Sequence, residues 1–158
     1  MQPRVTAMLK ILIAVMIVLL LASQILVIPE VARITALRNP DVSQLEIPGI
    51  IGAVIFLALV ELTLICVWRL LSLVRTERIF SADAFRFVDI ILWTLVSAGA
   101  LIAISYGVIL ASRAVSLSLT LLAVLGVVVS LALALLVVVL RGLLRKALEL
   151  EQDMSEVV

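Results

Sequence analysis

Residues 117–140 read LSLTLLAVLGVVVSLALALLVVVL, a stretch without a single charged side chain. As a helix it is about 36 Å long, and a hydrocarbon core is about 30 Å thick. Three further runs of similar character lie at about residues 7–28, 48–68 and 87–110. None shows the strict alternation over roughly 10 residues that a membrane β-strand needs. The composition agrees: 65% of the 158 residues are hydrophobic, against about 45–50% in soluble domains, and the mean hydropathy is +1.38. The expected fold is all-α: an integral membrane four-helix bundle, one domain over residues 1–158. Residues 141–158 extend the fourth span as a short cytoplasmic helix. A basic start precedes the first run, but no small-residue cleavage signal closes it, so it reads as a retained anchor.

Charge sets the expected orientation. Arg4, Lys10, Arg69, Arg75, Arg78, Arg86, Arg141, Arg145 and Lys146 fall on one side of a four-span chain, and Arg33, Arg38 and Arg113 fall on the other. Basic residues mark the cytoplasmic side. Both termini are therefore expected in the cytoplasm, with the chain in a cell membrane of the bacterial inner-membrane kind. Histidine is absent and Cys66 is the single cysteine. The usual metal ligand, the usual general base and a two-cysteine redox centre are thereby excluded. No catalytic residue, cofactor site or metal site is expected, and the chain reads as a non-enzyme.

The first loop is bracketed by Pro29 and Pro48, with Val31, Ile34 and Leu37 on one helical face. It predicts one or two short helices on the membrane surface, interrupted at Asn39-Pro40-Asp41. Before the third span, Ser81 suits an N-cap, Asp83 the first turn, and Phe80 with Phe85 a hydrophobic staple. The third loop is short and folds spans three and four into an antiparallel hairpin. Span three carries Gly99, Ala103, Gly107 and Ala111 at steps of four, and span four carries Gly126, Ser130 and Ala134. Such seams let helix backbones approach in lipid. They meet each other, or one of them faces a second subunit. In the tail, Leu136, Leu140, Leu143, Ala147, Leu150, Met154 and Val157 follow a heptad spacing. Its partner is the chain's own loop at residues 75–83, another protein, or a second copy.

Glu61 is the sharpest polar feature. It lies about 10 Å inside the end of the second span by helical rise. A charged side chain at the centre of a membrane helix costs roughly 2.5–3.5 kcal/mol on insertion scales. It is either an ion or proton site or a neutral acid hydrogen-bonded to Gln24, Thr94 or Ser97. Asp89 is placed to pair at the rim with Arg86 or Arg69. Trp68, Trp93 and Tyr106 suit interfacial aromatic belts.

Two segments carry a family resemblance: Arg78-Ile79-Phe80-Ser81-Ala82-Asp83-Ala84-Phe85-Arg86, and a tail from Leu140-Arg141-Gly142-Leu143-Leu144-Arg145-Lys146-Ala147 to Asp153-Met154-Ser155-Glu156-Val157-Val158. The first is similar to the G-x-I-F-S stretch before the third span of the domain of unknown function 2975 family. Glu77-Arg78 stands where that family has glycine. The likeness covers the full length in span order. It implies a four-span bacterial membrane protein of unassigned activity. Members are often accompanied by a small helix-turn-helix regulator of the Cro/C1 type, which implies a cytoplasmic regulator as partner.

The expected function is therefore partner binding or regulation at the membrane, without direct contact to nucleic acid. The partner-docking residues would be Arg75, Arg78, Phe80 and Asp83 in the loop with Glu149, Glu151 and Asp153 in the tail. The alternative is a small homo-oligomeric channel or transporter with Glu61 as its ion or proton site.

Overall fold

A computed structural model describes residues 3–75, 82–113 and 116–156 of the chain. Five α-helices account for nearly all of them: α1 (Pro3–Ala22), α2 (Ile28–Arg38), α3 (Glu46–Arg75), α4 (Ala82–Ala111) and α5 (Leu117–Glu156). No strand occurs among the described residues. Four stretches are long and apolar enough to cross a membrane: Arg4–Arg38, Pro40–Leu73, Ala84–Ala111 and Leu117–Met154.

The first of these differs from the sequence expectation. Pro29 does not end the helix. A proline inside a helix lacks the N–H that would bond back one turn, and its ring presses on the carbonyl four residues earlier. Here the turn ahead of it widens into a π-helix over Ser23–Val27, where the Ile28 N–H reaches the carbonyl of Ser23. The wider turn takes up the mismatch, and the helix runs on as α2 instead of lying apart as a separate surface helix. It stops at Asn39, whose φ of −132° and ψ of 86° are not helical, as expected for a residue that precedes a proline. A 3-10 helix over Pro40–Leu45 then leads into α3.

The α4–α5 connection is tight for two local reasons. Arg113 takes a left-handed φ of 59°, which reverses the chain directly after α4. Ser116 Oγ then accepts from the Leu119 N–H at 3.2 Å and caps the start of α5. The side chains of Arg75, Arg78, Phe80 and Asp83, the Ser81 cap and the Phe80–Phe85 staple lie outside the described residues.

The long helices pack in chain order. Substantial contacts join α1 to α3, α2 to α3, α3 to α4 and α4 to α5, and among the described residues no other pair of these helices makes more than marginal contact. The four spans thus form an open row with two uncovered faces. The accessible surface of 11317 Å² fits this shape, because a compact soluble protein of this mass exposes only about 7,800 Å². Among the few buried apolar side chains are Ile13, Cys66, Leu71, Ala84 and Ala134. In water such a surface would be untenable; in lipid the tails cover it.

Neighbouring helices run antiparallel. Lys10 near the start of α1 donates to Ser72 near the end of α3 at 2.9 Å. Gly52 of α3 faces Ser105 of α4, and Asp89 of α4 meets Arg141 of α5. The start of α1 and the end of α5 therefore lie at the same end of the row.

Packing between α4 and α5 uses small residues, though not the full seam. A Cβ on Gly99 would sit 3.0 Å from Ser130 Oγ, and one on Gly126 would sit 3.1 Å from Ile102 Cδ1. Ser130 Oγ donates to the Leu95 carbonyl, and Ala134 is buried behind it. Ala103 and Gly107 are exposed, and nothing lies within 4 Å of a Cβ built at Gly107. The reason is geometric. Steps of four residues advance about 40° beyond a full turn each time, so a run of them drifts off any straight interface. The face that α4 turns to α5 is instead Leu95, Gly99, Ile102 and Tyr106, at steps of four and three. Tyr106 Oη lies 3.0 Å from Thr120 Oγ1 and closes the far end of the hairpin.

Candidate functional site

The deepest polar contact joins α3 to the π-helical turn of the first span. Gln24 Nε2 donates to Glu61 Oε1 at 2.9 Å, and both side chains are partly buried. The widened turn holds Gln24 on the α3 side. The other two residues named for Glu61 do not reach it. Thr94 is buried but donates to the carbonyl of Ile90 in its own helix at 2.7 Å, and Ser97 is exposed. The row explains the split. α3 stands between α1 and α4, and Glu61 is turned towards α1, so α4 lies behind it. A carboxyl and an amide can share one hydrogen bond across a helix pair in lipid. Their oxygens can also ligate a small cation. No second charged side chain bonds to the pair among the described residues.

The rim pair differs from the sequence expectation. Asp89 pairs with Arg141 rather than with Arg86 or Arg69, both of which are exposed. Arg141 Nε lies 3.0 Å from Asp89 Oδ1, and Arg141 Nη2 donates to Oδ2 at 3.0 Å. The guanidinium fork thus grips both carboxylate oxygens. A signal was present in the sequence: Ser130, Ala134, Val137 and Arg141 lie at steps of four and three on one stripe of α5, and that stripe faces α4. Both groups are roughly half exposed, so the pair is screened and contributes about 1 kcal/mol. Asp89→Arg or Arg141→Asp alone is expected to lower the denaturation midpoint in detergent. The double exchange is expected to recover most of the loss.

At the opposite end of the row, Val27, Ile28, Val31, Gly49, Ile50 and Ala53 line an open apolar cleft between α2 and α3. It offers no charged or hydrogen-bonding side chain to a polar ligand. No group of three or more His, Cys, Asp or Glu able to hold a metal ion occurs among the described residues. Cys66 is buried and free. Of the tail residues, Glu149, Glu151 and Asp153 are exposed, and Arg145 reaches Glu149 at 3.6 Å within the same helix.

Four membrane-length apolar helices packed as an open layer, with ionic contacts at the ends and one acid–amide pair inside, define a multi-pass α-helical membrane protein. The chain belongs to the family described as Protein of unknown function (DUF2975), whose model matches residues 30–158. No curated protein and no solved structure matches it.

Proposed function

We propose that this chain is a non-enzymatic, partner-binding membrane protein with both termini in the cytoplasm and the end of α5 as its docking arm. The observation that carries the reading is the length of α5. It runs unbroken from Leu117 to Glu156, about 60 Å, roughly twice the hydrocarbon thickness. The Asp89–Arg141 pair sets the rim, and the helix continues about 20 Å past it. The basic side chains Arg145 and Lys146 lie nearest the headgroups, where anionic lipid favours them. The acidic side chains Glu149 and Asp153 share an exposed face farther out. Such a face suits a basic protein surface and repels nucleic acid phosphates. The resemblance implies such a partner in a small helix-turn-helix regulator, since a nucleic-acid-binding protein carries a basic face. Detergent-solubilised protein is expected to retain a DNA-binding protein through affinity capture, and deletion of residues 149–158 is expected to release it. Equal capture by the truncated chain would reject the arm as the docking site.

A second reading draws on the Gln24–Glu61 pair on its π-helical turn, since such turns recur at functional sites. In that reading a small channel or transporter uses Glu61 as its proton or cation site. Flux into liposomes that Glu61→Gln abolishes while leaving the fold intact would move this reading ahead of the first.

A further inference from the structure

The stripe of α5 that packs on α4 and the tail's heptad stripe are different faces of one helix. The packed stripe is Ser130, Ala134, Val137, Arg141, Leu144 and Leu148. The heptad stripe, Leu136, Leu140, Leu143, Ala147, Leu150 and Met154, lies about 120° around the helix. Every one of these six side chains is exposed. Within the span, lipid covers them. Past the Asp89–Arg141 rim the helix runs on in its own direction, and there Leu143 is 60%, Leu150 63% and Met154 75% exposed. Apolar side chains repeated at heptad spacing on a water-exposed helix form a surface to be covered.

We infer that α5 of a second copy covers this stripe, as a parallel two-stranded coiled coil that carries the membrane row into a dimer. Two copies inserted with the same topology place their α5 helices parallel, so the antiparallel arrangement does not arise. The register places Leu136, Leu143 and Leu150 at d positions, where parallel two-stranded coils commonly carry leucine. Leu140, Ala147 and Met154 take the a positions. Lys146 then falls at g and Glu151 at e. In a parallel coil a g residue lies beside the partner's e residue five positions on, so Lys146 meets Glu151 of the second copy, and the reciprocal pair forms across the two-fold axis. Neither side chain has an ion-pair partner in its own chain among the described residues. A one-heptad slip would set Lys146 beside Leu144 and lose both pairs. Ala147 contributes little apolar area, and confinement to one membrane raises the effective concentration that offsets this. Glu149 falls at c and points away from the seam, whereas Asp153 falls at g and flanks it, so the dimer leaves Glu149 open to the docking reading above.

The test uses full-length protein in lipid vesicles with Cys66→Ser as background. Leu150→Cys is expected to form a covalent dimer under mild oxidation, and Glu149→Cys, on the far side of the helix, is not. In the chain that keeps Cys66, Lys146→Glu or Glu151→Lys is expected to lower the dimer fraction by about fivefold, as judged by energy transfer between labelled copies. Lys146→Glu combined with Glu151→Lys is expected to restore it. Equal oxidation at the two cysteines would overturn the inference. So would a Leu150→Cys disulfide formed only with an unrelated protein, or a double exchange that fails to restore the dimer.

Discussion

Gly99→Leu is expected to destabilise the protein by about 3 kcal/mol, and Gly107→Leu to leave it within about 0.5 kcal/mol. The two glycines sit two turns apart on α4 and look alike in the sequence. Their surroundings do not. At Gly99 even one methyl group would meet Ser130 Oγ at 3.0 Å and Ser130 Cβ at 3.4 Å. Ser130 has little freedom to move, because its hydroxyl is bonded to the Leu95 carbonyl of the same neighbouring helix. Gly99→Ala therefore breaks that bond or separates the helices slightly, and a leucine wedges them apart. Gly126→Ala is the intermediate case. Its neighbour is the far end of the Ile102 side chain at 3.1 Å, which can rotate away. Unfolding titrations in mixed micelles rank the substitutions: Gly99→Leu first, then Gly99→Ala, then Gly126→Ala, with Gly107→Leu near zero. An equal loss at Gly99 and Gly107 would mean that the α4–α5 contact is misplaced.

The second large effect concerns Gln24. Gln24→Leu is expected to cost about 2 kcal/mol, because it leaves the Glu61 carboxyl within the helix layer without its donor. Glu61→Leu is expected to cost less, about 1 kcal/mol, since it removes the more expensive group and strands only an amide. The double change Gln24→Leu with Glu61→Leu is expected to return close to the parent, because neither polar group then remains in lipid. The same series separates the two readings of Glu61. For a purely structural pair, the stable double variant keeps every property of the parent. For a proton or cation site, it folds equally well and has lost flux. A double variant less stable than either single one would contradict the geometry of the pair.

The four spans were legible because lipid imposes one strong rule. A helix must be apolar for about 20 residues to cross, and few other structures produce such runs. Which face of each helix meets a neighbour was far less legible. In a soluble helix the apolar stripe marks the packed side, but here Leu, Val and Ile surround each helix, and lipid accepts them as readily as protein does. Small residues supplied part of the missing signal. Gly99, Gly126, Ser130 and Ala134 do lie at the α4–α5 contact, while the four-residue repeat carried the reading on to Gly107, which has drifted off it. The open order of the helices left no mark on local pattern.

Pro29 obscured the first span for a related reason. The rule that proline ends helices rests on clash and a missing hydrogen bond, and the π-helical turn at Ser23–Val27 relieves both. Charge placement offers Asp89 a partner in Arg86 on its own helix or Arg69 on the preceding span, whereas its partner is 52 residues away. The stripe from Ser130 to Arg141 was the available clue. Glu61 stood out by its cost, and the bond to Gln24 follows from the side of α3 on which it lies.

The central claim is that the chain crosses the lipid four times as a row of helices with its two ends on one side. Cysteine accessibility in sealed, uniformly oriented vesicles tests it most directly, with Cys66→Ser as background and single cysteines introduced at Arg4, Asn39, Ser112 and Met154. The account predicts that a membrane-impermeant thiol reagent labels Arg4→Cys and Met154→Cys from one face, and Asn39→Cys and Ser112→Cys only from the other. Labelling of Arg4→Cys and Met154→Cys from opposite faces, or of all four from the same face, would contradict it.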